Sequence, residues 1–212
     1  MTRVVRRWMC GVAIVAGALV VVLEEPAWGQ APPAVRFEVG KGSRAEYRVR
    51  EQLARLNFPN DAVGATESVT GAIVIRPDGS FAADSKLTVD LRTLKTDEPK
   101  RDGFVRENTL ETNRYPLAEF VPRRVKGLAV PVPTSGSSTF QLIGDMTLHG
   151  VTSETVWDVA GSFAADAMTA KATTRFNFAK FKITVPRVFG LLSVDDDIRL
   201  EMHLRLQRAP TR

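Results

Sequence analysis

Along most of the chain, apolar and polar residues alternate every second position. The clearest stretch is IRLEMHLRLQ, residues 198–207. Ile198, Leu200, Met202, Leu204 and Leu206 fall on one side; Arg199, Glu201, His203, Arg205 and Gln207 fall on the other. Successive strand side chains point to opposite faces, so this is a ribbon with one apolar and one solvated face. The rhythm begins near residue 44, where Ala45, Tyr47, Val49 and Leu53 oppose Arg44, Glu46, Arg48 and Gln52. RPDGS at 76–80 is a turn signal, because Pro fixes φ and Gly accepts positive φ. It predicts a hairpin whose second strand puts Phe81, Ala83, Ser85, Leu87, Val89 and Leu91 on one face.

Later runs repeat the pattern. Strands resume with AEFVPRRVKGLAV, which carries Phe120; Phe140, Leu142, Gly144, Met146 and Leu148 share a face of TFQLIGDMTLHG. Trp157, Val159, Gly161 and Phe163 line up in the next segment, and Ala172, Thr174, Phe176 and Phe178 in the one after. Residues 96–114 break the rhythm. Thr96 or Asp97 suits a helix cap, Pro99 its first turn and Glu98 its positive end. Phe104 and Leu110 are too few for a long amphipathic helix, so this is a connection with one or two helical turns. Residues 182–197 read as irregular. The sum is about eight strands joined mostly by short turns, with no long helical period. That is an all-β, meandering antiparallel sheet, closed as a barrel or folded as a sandwich.

The inward rows mix large aromatics with Ala83, Ser85, Gly144, Gly161, Ala172 and Thr174. An eight-stranded barrel is either just filled or able to hold one small ligand. Small lining residues leave room, yet large–small alternation also packs a tapered barrel. Both readings stay open on the pattern alone.

The first residues change the picture of where the fold begins. Arg3, Arg6 and Arg7 precede the apolar run MCGVAIVAGALVVVL, which ends at EEPAWGQAPP with Ala27 and Gly29 as small residues. This order predicts a secretory signal peptide over 1–29, a linker over 30–34, the domain over 35–207 and a tail over 208–212. The expectation is a secreted protein, with the periplasm as its first-choice location. Cys10, the only cysteine, lies in the apolar run, so the remainder folds without disulfides. The net charge is +5, and dropping the three leader arginines and two leader glutamates leaves +4. The charges are interleaved rather than gathered with stacking aromatics, which argues against a nucleic-acid partner.

Catalytic patterns are missing. No G-x-S-x-G elbow is present, and GKGS at 40–43 lacks the rest of a phosphate loop. His149 and His203, the only histidines, have no Cys or carboxylate at metal-ligand spacing. Asp195, Asp196 and Asp197 read as a turn held by side-chain hydrogen bonds rather than a cation site. Arg101–Asp102 reads as a structural salt bridge ahead of a head-group contact. The residues point away from an enzyme and supply no metal or cofactor site.

Three segments together resemble the YceI-like lipid and polyisoprenoid-binding family. The first is VDLRTLKTDEPKRDGFVRENTLETNRYPLAEF, with Asp90, Arg101, Asp102, Tyr115, Pro116 and Phe120 at the matching places. The second is LIGDMTLHGVTSETVWDV, where Gly144, Thr147, Leu148, His149, Gly150, Val151 and Thr152 fit and Met146 replaces the usual Leu. The third is FNFAKFKI followed by LLSVDDDIRLEMHL, where FNFAKFK replaces the family's Arg-x-Asp-Phe-Gly, so roles tied to that arginine or glycine do not carry over. The resemblance covers residues 35–207. It implies an eight-stranded antiparallel lipocalin-like barrel with a short helix near the mouth and an apolar tunnel. It also implies a carrier or scavenger of a polyisoprenoid or fatty-acyl amphiphile, without a cofactor; transient membrane contact and a homodimer are compatible with it. The alternative is a filled β-domain serving as a structural or partner-binding module. Strand parity and the loop apolars then select the tail-contacting residues: Phe81, Leu87, Val89, Phe104, Leu110, Phe120, Phe140, Leu142, Met146, Trp157, Phe176, Phe178, Leu200, Met202 and Leu204.

Overall fold

A computed structural model describes residues 33–54, 57–187 and 190–210; the signal peptide read from the sequence lies outside the described residues. The strands are β1 (Val35–Val39), β2 (Arg44–Leu53), β3 (Asn60–Thr66), β4 (Val69–Ile75), β5 (Lys86–Asp90), β6 (Leu117–Lys126), β7 (Gly136–Leu148), β8 (Val151–Phe163), β9 (Ala167–Phe176) and β10 (Leu191–Pro210). Every pairing is antiparallel, in the order β1-β4-β5-β6-β7-β8-β9-β10, and β10 closes the ring by pairing back to β1.

Ten segments make an eight-stranded barrel because two long strands are each broken once. The C-terminal part of β10 pairs with β1 and its N-terminal part with β2, so β1 and β2 are halves of one bent strand. Their partners β3 and β4 are likewise one strand interrupted at residues 67 and 68. Ser43 holds the first break. Its buried hydroxyl donates to the Gly40 carbonyl at 2.9 Å and accepts from the Arg205 N–H at 3.0 Å, supplying the pairing the bent backbone gives up. Thr66 does the same at the second break, where its hydroxyl accepts the Ser68 N–H at 3.0 Å.

The alternation in β8 is strict: from Thr155 to Phe163, every second residue is buried and each one between is exposed. The predicted hairpin at RPDGS has its turn, with Arg76 N–H donating to the Ser80 carbonyl at 2.8 Å. Its second strand, however, begins only at Lys86. Ala83 is exposed, Phe81 is tied by a single bridge to Ile75, and the buried Ser85 hydroxyl bonds the Val74 backbone N–H at 3.0 Å. A polar side chain that satisfies a neighbouring backbone has replaced the ladder there. The stretch before the last ribbon is also more regular than expected. β10 starts at Leu191, and the three aspartates lie in a bulge of that strand rather than a turn. Within the bulge, Asp196 accepts the Phe178 N–H at 2.8 Å, and Asp197 pairs with Arg175 at 2.7 Å. Among the described residues, no His, Cys, Asp or Glu cluster is placed to hold a metal ion.

Between β5 and β6 the chain forms a short helix, α1 (Pro99–Phe104), continued by a π-helical stretch, Val105–Thr109. Its cap is Glu98, whose carboxylate accepts the Lys100 N–H at 3.3 Å, not Thr96 or Asp97. Thr96 instead anchors the helix from outside, donating both its N–H and its hydroxyl to Asp102 at 2.7 Å each.

Candidate functional site

The barrel is filled at one end and hollow at the other. At the filled end Phe37, Ile73, Phe140, Val159, Phe163, Met168 and Leu206 are buried in one apolar cluster. At the other end is a cavity of about 480 Å³, walled by inward residues of β2, β5, β6, β7, β8 and β10. Phe104, Val105 and Leu110, from the helical segment, lie across it. Its wall is predominantly apolar.

Eleven residues selected from the sequence line this cavity: Leu87, Val89, Phe104, Leu110, Phe120, Met146, Trp157, Phe176, Phe178, Leu200 and Met202. Four do not. Phe140 and Leu204 are buried in the core and Leu142 is packed against it, none of them among the cavity-lining residues. Phe81 sits in the turn region bridged to Ile75. Parity identifies the inward face of a strand but carries no information on height, and β7 is 13 residues long. One face therefore contributes to both the filled and the hollow end.

Sequence reasoning also passed over part of the wall. Ala45, Tyr47, Val49 and Leu53 of β2 line the cavity, as do Leu191 and Val194 of β10. The first four were visible as an alternating row. Leu191 and Val194 were hidden by the bulge that breaks the alternation.

Among the charged residues along this wall, which include Glu46, Glu119 and Glu201, Glu51 is the one on an inward strand row. Glu51 stands on the inward row of β2, between Val49 and Leu53, and is buried. A glutamate in an apolar parity row is the signal that marks it. It is met from above by Arg101 of α1, whose guanidinium lies 2.9 Å from its carboxylate and also pairs with Asp97. Asn60 donates to the same Glu51 oxygen at 3.3 Å. Burial alone would favour a neutral guanidine, but the Glu51 and Asp97 carboxylates hold Arg101 more firmly protonated than usual. Arg101 is thus a structural ion-pair partner, with Glu51 and Asp97 rather than Asp102. The pair fastens the helical cover to the barrel rim. Such a buried pair costs stability chiefly when one member is removed and the other is left unpaired.

At the turn after β7, His149 has its ring 3.2 Å from the Glu111 carboxylate and edge-on to Tyr115 at 4.9 Å. It ties the end of the helical segment to the β7–β8 turn. Three further polar groups lie in the cavity wall without hydrogen-bond partners, the Tyr47 hydroxyl, the Thr109 hydroxyl and the Trp157 indole N–H, all buried.

Burial pushes the Tyr47 phenol up to about 12, with Arg101 pulling it down and Asp102, Glu51 and Asp97 adding to the rise. The fold therefore favours the neutral phenol. Above pH 10 the unfolded chain loses this proton first, so stability falls as pH rises from 10 and levels off past about 12. The expected loss is about 2–3 kcal/mol. Urea titrations across this range should show it in the native protein and not in Tyr47→Phe; an identical slope in both would rule Tyr47 out as its source.

Fold and cavity together define a closed antiparallel β-barrel with an interior apolar site under a helical cover. The chain belongs to the YceI-like domain family, whose model matches residues 41–206. It is similar to a UPF0312 protein of Pseudomonas putida strain W619, 30% identical over 139 residues, which are 58% of this chain and 68% of that protein. It is also similar to a UPF0312 protein of Pseudomonas savastanoi pv. phaseolicola, 37% identical over 84 residues, 35% of this chain and 40% of that one. Among solved structures, a polyisoprenoid binding domain from Saccharophagus degradans shares the fold at a TM-score of 0.60 and 14% identity, covering 82% of this chain and 98% of that domain. BcnA of Burkholderia cenocepacia does so at 0.58 and 16%, covering 77% and 95%.

Proposed function

We propose that this protein holds the tail of a long-chain amphiphile, an isoprenoid or fatty-acyl lipid, in the hollow end of its barrel and serves as a periplasmic carrier or scavenger. The observation that carries this reading is the cavity of about 480 Å³ with a predominantly apolar wall, in which the buried Glu51 is neutralised by Arg101 of the helical cover. A hydrocarbon tail gains about 0.8 kcal/mol per buried methylene, so such a wall binds without many polar contacts. The unpartnered Tyr47 and Trp157 donors would receive an oxygen of the guest. The cover formed by α1 makes its opening the natural route of entry.

Two further features support a carrier. The leader-like first 29 residues favour export. At the hollow end Leu53, the last residue of β2, pairs with Leu191, the first of β10; Leu192 of β10 and Phe58, just ahead of β3, expose 67% and 79% of their surface. Exposed apolar groups at this end suit contact with a membrane surface.

Native mass spectrometry of protein purified from the periplasm tests the reading. A hydrocarbon-rich adduct released on denaturation is expected. Homogeneous empty protein that takes up neither farnesol nor palmitate on addition would overturn it.

A further inference from the structure

We propose that the cavity sets a limit on tail length: it accommodates a single chain of about fifteen to twenty carbons and stops the rest of a longer polyprenyl chain at a closed floor. The inference rests on the binding reading above and specifies its ligand. The floor is visible in where the lining ends along each strand. It stops at Trp157 in β8, Met202 in β10, Leu87 in β5 and Phe120 in β6. Phe120 and Trp157 meet edge-on with ring centroids 6.0 Å apart, an arrangement aromatic pairs favour.

Two residues further along β8 and β10, Val159 and Leu204 are already buried in the core. Beyond them the buried side chains of Phe140, Phe163, Met168 and Leu206 form the core. At Gly161 an added Cβ would lie 2.5 Å from Met168 Cε and 3.3 Å from Phe140 Cε1, so these two side chains already cover the glycine. The tunnel therefore does not run the length of the barrel. Its 480 Å³ lies in the lower half of the range for small-molecule sites, roughly 300–1,000 Å³. At about 30 Å³ for each water-sized group, it takes about sixteen. A longer chain leaves its remainder in the mouth or in water, where further methylenes add nothing.

The test is a chain-length series delivered from cyclodextrin to the full-length protein. Saturated fatty acids run from decanoate to arachidate, and farnesol, geranylgeraniol and solanesol extend the series, all read by displacement of a fluorescent fatty acid. Affinity is expected to rise about fourfold per methylene, which corresponds to about 0.8 kcal/mol, up to about sixteen to eighteen carbons, and then to stay level. Solanesol should bind no more tightly than geranylgeraniol. Met202→Ala, which lowers the floor without removing an aromatic, should move the plateau to longer chains; Trp157→Ala should move it further. Affinity that keeps rising through solanesol would overturn the length limit and leave the carrier reading standing. A plateau unmoved in a folded Met202→Ala variant would overturn the assignment of the floor. No binding at any length would overturn both.

Discussion

Replacing Ala45 with Phe is expected to weaken binding of a sixteen-carbon fatty acid about a thousandfold while leaving the fold intact. Ala45 is on the inward row of β2, directly beside Met202 of β10, and lines the hollow end. Phe at that place would occupy the room of about six tail carbons. At about 0.8 kcal/mol each this forfeits about 4–5 kcal/mol of transfer free energy. The introduced ring enters empty space, so the usual penalty for overpacking, about 1–3 kcal/mol, does not apply. Ala170→Phe is the matched control. Ala170 is also buried, but it stands opposite Gly161 and Leu204 at the filled end, where Phe140 and Met168 already crowd Gly161. That variant should be destabilised by overpacking, with a lowered melting temperature. Undiminished affinity in a folded Ala45→Phe protein would mean that the lipid is not held in this cavity.

The contrast between these two alanines also marks what was legible in the sequence. Alternation revealed the strands, their inward faces and the antiparallel meander, because a period of two is imposed on each strand by its own backbone. Trp157, Val159, Gly161 and Phe163 are buried as that period requires. It could not reveal height within the barrel. Phe140 and Met146 share a face of β7, yet one is in the filled end and the other lines the cavity. Height follows from how each strand is staggered against its neighbours, and that depends on residues far apart in sequence.

The small inward residues teach a related lesson. Ala83, Ser85, Gly144, Gly161, Ala172 and Thr174 suggested room inside, but none of them lines the cavity. Gly161 is overlaid by Met168 and Phe140, Ser85 is spent on the backbone of β4, and Ala83 faces solvent. The room comes instead from Ala45, Ala62 and Ala118 and from a helical cover that spans the mouth without filling it. A small side chain leaves space only if no neighbour reaches into it, and the neighbour is not given by local pattern. The Glu51–Arg101 pair was hidden for the same reason, since its members lie 50 residues apart.

Gly144→Val is expected to be the most damaging single substitution to the fold. Gly144 is buried in the middle of β7, opposite Pro122 of β6. A Cβ there would fall 2.3 Å from the Val121 carbonyl oxygen, 2.8 Å from Pro122 Cα and 2.9 Å from the Phe120 ring. Two of these are backbone atoms beside a bulge between Pro122 and Arg124, so no flexible side-chain end can yield. The β6 strand must move bodily, and with it Phe120, part of the cavity floor. The expected cost is at least about 3 kcal/mol, the scale of severe overpacking. For a domain of this size that lowers the melting temperature by roughly 6–12 °C. Gly144→Ala should lose somewhat less, since one methyl already meets the same carbonyl. Because the strain is delivered to Phe120, the surviving folded fraction should also show a changed chain-length preference, which a purely global destabilisation would not produce. Calorimetry that finds Gly144→Val as stable as the native protein would mean that β6 and β7 are not packed as closely at this point as the fold described here requires.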